Sequence, residues 1–256
     1  MGSNRFDLTG RLALVTGGSK GLGNAMALGL AEAGAEVLIS SRHEHELQAA
    51  AKEIRSAATT RVEYLVSDLS KRGEAEKLAK SAIETMSRVD ILINNAGTNA
   101  PQPIDEISDA KWDELVELNL TSCMALARAL VPPMKERRWG RIIHISSIMG
   151  FSSAAGRNVY SATKSALLGL ARASANDLGP YGITVNCIAP GPFLTDLPTS
   201  LLSKEKQDEF ARGTALGRWG QPEELIGPAL LLASDAGSYI TGASIIVDGG
   251  CLTKIF

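Results

Sequence analysis

Tyr160 and Lys164 stand four residues apart in NVYSATKSAL, residues 158–167, a run otherwise made mostly of small or aliphatic residues. Side chains four apart on a helix share a face, about 5 to 6 Å apart at Cβ, so a phenol and an ammonium could act here as a pair. A tyrosine ionises near pH 10, and a neighbouring positive charge favours the phenolate. The pair therefore suits proton transfer to and from an oxygen atom. With 4 Tyr and 11 Lys in 256 residues, the spacing arises by chance roughly 0.17 times, so it needs company. GRIIHISSIMG supplies some: a β-rich run that ends in Ser146 and Ser147, about ten residues before the tyrosine segment. LINNAG ends another such run with Asn94, Asn95, Ala96 and Gly97, small and amide groups suited to lying against a flat ligand.

A second chemical signal precedes these. LVTGGSKGLGNAMA places Gly17, Gly21 and Gly23 between a β-rich run and a helical pattern, with Ser19, Lys20 and Leu22 among them. A strand, a glycine turn and a helix start, in that order, can present backbone N–H groups and a helix dipole to a pyrophosphate. The spacing is G-x-x-x-G-x-G, not the common G-x-G-x-x-G, and the same glycines would also serve a tight turn with no ligand. The next β-rich run ends in EVLISSRHEHEL. NAD sites place a carboxylate at that strand end, on the ribose 2′-hydroxyl. Here Ser41 and Arg42 stand instead. A guanidinium can pair with a 2′-phosphate, and Lys20 adds a second positive charge, so NADP is favoured over NAD.

These groups need elements to hold them. Short β-rich runs alternate with helical patterns almost end to end: RLALVTG, AEVLISS, RVEYLVS, VDILINN, GRIIHISS, GITVNCIAP and ASIIVDGG. Seven such runs, apolar on both alternations, predict buried parallel strands in one doubly wound, Rossmann-type α/β sheet with helices on both faces. No linker or repeat divides the chain, so residues 1–256 read as one domain, with a helical insertion at about 192–222. Ligands of such sheets bind beyond the carboxyl ends of the strands. The glycine loop, Ser41, Asn95 and Ser147 all fall at such ends.

Composition narrows the partners. Hydrophobic residues make up 45% and charged residues 21%, with a net charge of −2, which leaves no footprint for nucleic acid or a membrane surface. The N-terminal run is too polar for a signal peptide, and no segment reads as a membrane span. Cys123, Cys187 and Cys251 suggest neither a disulfide framework nor a zinc motif, and a reducing cytoplasm fits them best. His43, His45 and His144 form no ligand set, so no metal is expected.

The ordered set TGGSKGLG, SDLS, NNAG, LNL, HISS, YSATK and IAPGPFLTD resembles the short-chain dehydrogenase/reductase family along essentially the whole chain. That resemblance implies a reaction between a carbonyl and a secondary alcohol. It makes Tyr160 the catalytic acid/base and Lys164 its partner, which also holds the nicotinamide ribose. It selects Ser147 over Ser146, thirteen residues before the tyrosine, and matches Asn119 to the asparagine of the proton relay. Asp68 and Leu69 fall near the adenine, and Asn95, Ala96 and Gly97 along the cofactor. Pro190 and Gly191 also join the cofactor site, and Thr195 holds the carboxamide. It further implies a homotetramer.

Two groups of relatives look closest: dehydrogenases of the gluconate 5-dehydrogenase kind and 3-oxoacyl-carrier-protein reductases. The reductases carry two arginines that dock the carrier protein. Arg138 approximates the first, but Tyr181 stands at the second, and TALGRWGQPEELIGPALLLAS resembles the sugar-acid enzymes more closely. Arg157, three residues before Tyr160, stands where a guanidinium could bind an acidic substrate, or could simply face solvent at a helix start. A non-catalytic dinucleotide-binding regulator is the alternative from another class. It would have no need of Tyr160 and Lys164.

Overall fold

The computed structural model describes residues 4–195 and 203–254. Seven strands form one parallel sheet: β1 (Leu12–Thr16), β2 (Glu36–Ser41), β3 (Val62–Val66), β4 (Ile91–Asn94), β5 (Gly140–Ile145), β6 (Ile183–Pro190) and β7 (Ser244–Val247). Their order is β3-β2-β1-β4-β5-β6-β7, with every neighbouring pair parallel. The seven expected strands are all present. Parallel pairing requires both faces to be covered, and β1, β4, β5 and β6 are buried along their whole length.

The period-2 alternation of each strand splits the core in two. Val15, Val37, Ile39, Ile93 and Ile143 face one layer, where α1 (Gly21–Glu32), α2 (Glu44–Ala57) and α8 (Ile226–Ala233) supply Met26, Leu47 and Leu232. Leu14, Leu38, Leu92, Ile142 and Val185 face the other. There α3 (Glu74–Met86), α5 (Ser122–Arg137) and α6 (Asn158–Leu178) supply Leu78, Leu126 and Leu167. The chain winds outward from β1 to β3, then returns to place β4 on the other side of β1. The loops after β1 and β4 therefore diverge and leave a crevice at that point of the sheet.

Helix α4 (Asp109–Val116) runs into α5 through a π-helical turn, Glu117–Thr121. The continuous stretch Asp109–Arg137 is long and apolar enough to cross a membrane by length and composition. Leu118, Leu126, Leu130 and Met134 of this stretch are buried in the core beneath the sheet, while Trp112 near its start is exposed.

Within the expected insertion, α7 (Lys204–Arg212) forms a lone amphipathic helix with Ser203 as its N-cap. Trp219 pins it, donating from Nε1 to the Gln207 carbonyl at 2.8 Å and packing against Phe210 with ring centres 5.6 Å apart and planes tilted by 58°. Residues 196–202 of that insertion lie outside the described residues.

Candidate active site

The glycine loop follows β1, and Gly17 and Gly21 adopt φ of +62° and +57°, left-handed values that disfavour any side chain. Gly23 is required for a different reason: a Cβ there would stand 2.1 Å from the Gly17 carbonyl and 2.4 Å from Asn95 Nδ2. The loop is thus closed on itself and on the end of β4. Helix α1 begins at Gly21 with no side-chain cap from Lys20 and no acidic residue in its first turn. Its leading N–H groups therefore keep their dipole for an incoming anion. Thr195 lies over this start, its Cγ2 3.2 Å from where a Gly21 Cβ would be. Leu22 packs partly into the core.

Carboxyl ends of neighbouring strands extend the same rim. Arg42 is exposed after β2. The side-chain oxygens of Ser40, Ser41 and Ser67 are buried with no hydrogen-bond partner among the described residues. A buried hydroxyl without a partner is costly, and three at adjacent strand ends fit a ligand that supplies donors and acceptors. Asp68 receives the Ser70 hydroxyl at 2.7 Å and lies 3.5 Å from Lys71. Burial raises its carboxyl, but the Ser70 hydroxyl and N–H and the charges of Lys71 and Arg42 outweigh it and hold it below the usual carboxylate range. Leu69 is buried in the core, which leaves only its main chain to meet a ligand.

Past the crevice, Asn95 turns out to be a tie. Its Nδ2 donates to the carbonyls of Thr16 at 2.9 Å and Gly17 at 3.0 Å, while Thr16 Oγ1 accepts the N–H groups of Asn95 and Ala96, each at 3.0 Å. Gly97 then passes between two functional side chains. A Cβ on it would lie 3.1 Å from Asn119 Oδ1 and 3.4 Å from Lys164 Nζ. Asn119 sits fully buried in the π turn, a device often found at functional sites. Its Nδ2 donates to the Thr98 carbonyl at 2.9 Å and to Thr163 Oγ1 at 3.3 Å, and its Oδ1 accepts the Thr98 N–H at 2.9 Å. The amide is wholly committed to joining the loop after β4 to α6.

Helix α6 forms because Val159, Thr163, Leu167, Ala171, Ala175 and Leu178 recur at helical spacing and bury one stripe. It carries Tyr160 in its first turn and Lys164 one turn on, as the sequence predicts. Lys164 is 4% exposed, donates to the Ile145 carbonyl at 2.7 Å and places Nζ 5.6 Å from the Tyr160 ring centre. The two serines after β5 divide their work. Ser146 Oγ donates to the Lys164 carbonyl at 2.8 Å, so Ser146 docks the helix. Ser147 Oγ accepts the Met149 N–H at 3.1 Å, which leaves its own proton to be donated. Pro190 ends β6, and Gly191 passes so close to β7 that a Cβ would meet Asp248 at 2.6 Å.

Arg157 is the N-cap of α6 and half-buried, and its backbone bridges to Gln102. Tyr181 lies under the Lys135 ammonium, 4.4 Å from its ring centre, and Arg138 donates to the Pro180 carbonyl at 2.9 Å. Two partly open hollows lie elsewhere. One of about 250 Å³ is lined by Leu194, Lys204 and Trp219. Neither it nor the smaller hollow beside Phe193 and Asp248 touches Tyr160 or Lys164. His43 and His45 are exposed at the start of α2, and no metal-holding group of three or more His, Cys, Asp or Glu exists among the described residues.

The sequence missed the floor of the site. Asn94, His144 and Cys187 lie in register across β4, β5 and β6, and Asn94 Nδ2 approaches His144 Nδ1 at 3.1 Å. Burial and the Lys164 charge hold His144 down to about 4, and burial pushes Cys187 up to about 12. Both are therefore neutral near pH 7, and Cys187 is no nucleophile. The alternation of β5 could have flagged His144 as inward-facing, but not its partner fifty residues away.

This crevice, loop and helix define the dinucleotide-binding class of α/β proteins. A family model described as short chain dehydrogenase matches residues 11–206. The 3-oxoacyl-[acyl-carrier-protein] reductase of Chlamydia trachomatis is 37% identical over 243 residues, covering 95% of this chain and 98% of that protein. Gluconate 5-dehydrogenase of Gluconobacter oxydans is 36% identical over 251 residues, covering 98% of each. The crystal structure of a gluconate 5-dehydrogenase from Burkholderia cenocepacia in complex with NADP and tartrate matches with a TM-score of 0.92. It is 34% identical and is covered to 99%, against 98% of this chain. The chain belongs to the short-chain dehydrogenase/reductase family, and is an oxidoreductase acting on CH–OH groups.

One prediction follows from His144. Its unfolded value is near 6.5 and its folded value about 4, so between them the unfolded chain binds the extra proton and stability falls as pH drops through that window. The loss amounts to roughly 3 kcal/mol over the whole window. Urea midpoints of the parent should fall more steeply from pH 7 to pH 4 than those of His144→Asn. Parallel slopes for the two proteins would refute the buried neutral imidazole.

Proposed function

We propose that this protein interconverts a ketone and a secondary alcohol of a sugar acid, polyol or related small keto compound, using NADP(H). The observation that carries the reading is the buried Lys164 ammonium beside Tyr160, facing the crevice that the glycine loop closes from the other side. The residues fit a dinucleotide: uncapped N–H groups at Gly21, glycines that admit close approach, and orphaned hydroxyls at Ser40, Ser41 and Ser67. Gly17, Leu22 and Gly23 would cradle the pyrophosphate, with Ser19 standing beside Lys20 at its adenosine side. Lys20, Ser41 and Arg42 would meet the 2′-phosphate, with Asp68 and Leu69 beside the adenine. Ala96, Gly97, Pro190, Gly191 and Thr195 would line the nicotinamide half, and Lys164 would hold its ribose.

The bound cofactor supplies or accepts the hydride. In the reducing direction Tyr160 gives its proton to the carbonyl oxygen as charge develops there, and the Ser147 hydroxyl donates to the same oxygen. Lys164 stabilises the phenolate that remains, more strongly for being buried. Asn119 keeps Thr98, Gly97 and Thr163 in place around that ammonium. Proton delivery is thus assigned to Tyr160 and Lys164, with the Asn119 amide as their brace.

For the substrate class, Tyr181 at the second carrier-docking position, covered by Lys135, argues against a carrier-protein thioester. Likeness to the Chlamydia trachomatis reductase keeps that thioester as the second reading. A cytoplasmic setting fits the three free cysteines. A homotetramer fits the exposed Ile104 and Trp112 and the half-covered edge strand β7, whose Ile246 is 44% exposed.

Purified protein with NADPH should reduce 5-ketogluconate or a related keto-sugar faster than an acetoacetyl thioester, followed by loss of reduced-cofactor absorbance. Tyr160→Phe should lower kcat by about 10²- to 10⁴-fold while still binding cofactor. No turnover across the panel by the parent, or an undiminished rate in the variant, would refute the mechanism.

Arg157→Ala should reduce kcat/KM for acidic substrates by about 1.5 to 3 kcal/mol, the value of a charged hydrogen bond, and spare neutral ketones. Equal losses for both would show that Arg157 serves the fold and does not read the substrate. Light scattering should give the mass of four 27.0 kDa chains, about 108 kDa. A species of one chain's mass alone would contradict the tetramer.

A further inference from the structure

Glu46 stands in the first turn of α2, beyond the end of β2, and its carboxylate reaches back over the glycine loop. It accepts a hydrogen bond from Lys20 Nζ at 3.0 Å and another from Ser19 Oγ at 3.2 Å. Both donors lie in the loop that meets the adenosine end of the cofactor under the NADP(H) reading, on which this inference rests. Glu46 is the less exposed member of the pair, its side chain 24% exposed against 58% for Lys20. The Lys20 ammonium holds the Glu46 carboxyl below its usual range, ahead of the opposing effect of burial and with further help from Ser19 and His43. Glu46 is therefore an anion at neutral pH.

Two hydrogen-bond donors converging on a carboxylate have the geometry that also suits a phosphate oxygen. A 2′-phosphate reaching Lys20 and Ser19 must separate them from Glu46 and then sit beside its negative charge. A ribose bearing only a 2′-hydroxyl imposes no such exchange, and a carboxylate at this rim can accept that hydroxyl.

We infer that Glu46 is a specificity-determining residue, an internal anion that competes with the 2′-phosphate for Ser19 and Lys20 and so narrows the preference for NADPH over NADH. Arg42 and Ser41 draw the phosphate in, and Glu46 sets how far that preference goes. Ser41 alone would not reveal this from the sequence, because the carboxylate comes from the helix and not from the strand end.

The test is a fluorescence titration of the full-length protein with NADPH and with NADH, with no carbonyl compound present. In Glu46→Gln, which keeps the shape and removes the charge, the ratio of Kd for NADH to Kd for NADPH should rise on the order of tenfold. Glu46→Ala, which also removes the acceptor, should move the ratio the same way. An unchanged or lowered ratio in both variants, with the parent still binding NADPH, would overturn the competition and leave the dehydrogenase reading standing. A parent that binds neither nucleotide would overturn both.

Discussion

The junction between Thr16 and Asn95 holds the sheet closed at the one place where its winding reverses. Every functional group is set relative to that junction. Reversal gives the crevice, but it also sends two loops in opposite directions, and nothing in the strand ladder prevents them from splaying. Four hydrogen bonds centred on Thr16, Gly17 and Asn95 do so. Each contributes about 1 kcal/mol net, but orphaning any of these partly buried groups would cost more than the bond itself contributes. Gly23 fills the remaining space so tightly that no Cβ fits between Asn95 and the loop. The start of α1 and the entry to the reacting side are consequently one rigid piece.

Below the reacting groups the floor is polar and uncharged except at Lys164. Asn94, His144, Cys187 and Cys123 are buried there, and burial keeps the imidazole and both thiols neutral across ordinary pH. None of them answers the ammonium. Its charge is directed instead toward the Ile145 carbonyl and Tyr160, with little water to screen it. Under the proposed mechanism, neutral neighbours on three strands matter to the acid/base chemistry as much as the lysine does.

Much of this is legible in the sequence alone. Short runs apolar on both alternations, separated by helical patterns, give the number of strands, and the glycine turn gives the first crossover. Four-residue spacing placed Tyr160 and Lys164 on one face. Local signals were sufficient there because local geometry decides the outcome. Asn95 reads as a cofactor neighbour, and what residue types do not show is that its amide also ties down Thr16 and Gly17, seventy-eight residues and more away in sequence. Asn119 is reached only through the family resemblance, and the π turn that holds it is something residue types alone do not announce. Glu46 and His144 gain their meaning only from partners on other elements.

The π turn has a consequence of its own. In an α-helix each residue advances the phase by about 100°, and a π turn amounts to one extra residue accommodated without breaking the rod. Because the extra residue is taken up within one widened turn, the rod on either side keeps its place, and Leu115 before the turn and Leu126 and Leu130 after it are all buried. Loss of one residue between Glu117 and Thr121 would return the segment to an unbroken α-helix and leave those flanks where they are, at the expense of the turn that carries Asn119. A deletion here would therefore be felt by the buried amide before it was felt by the core.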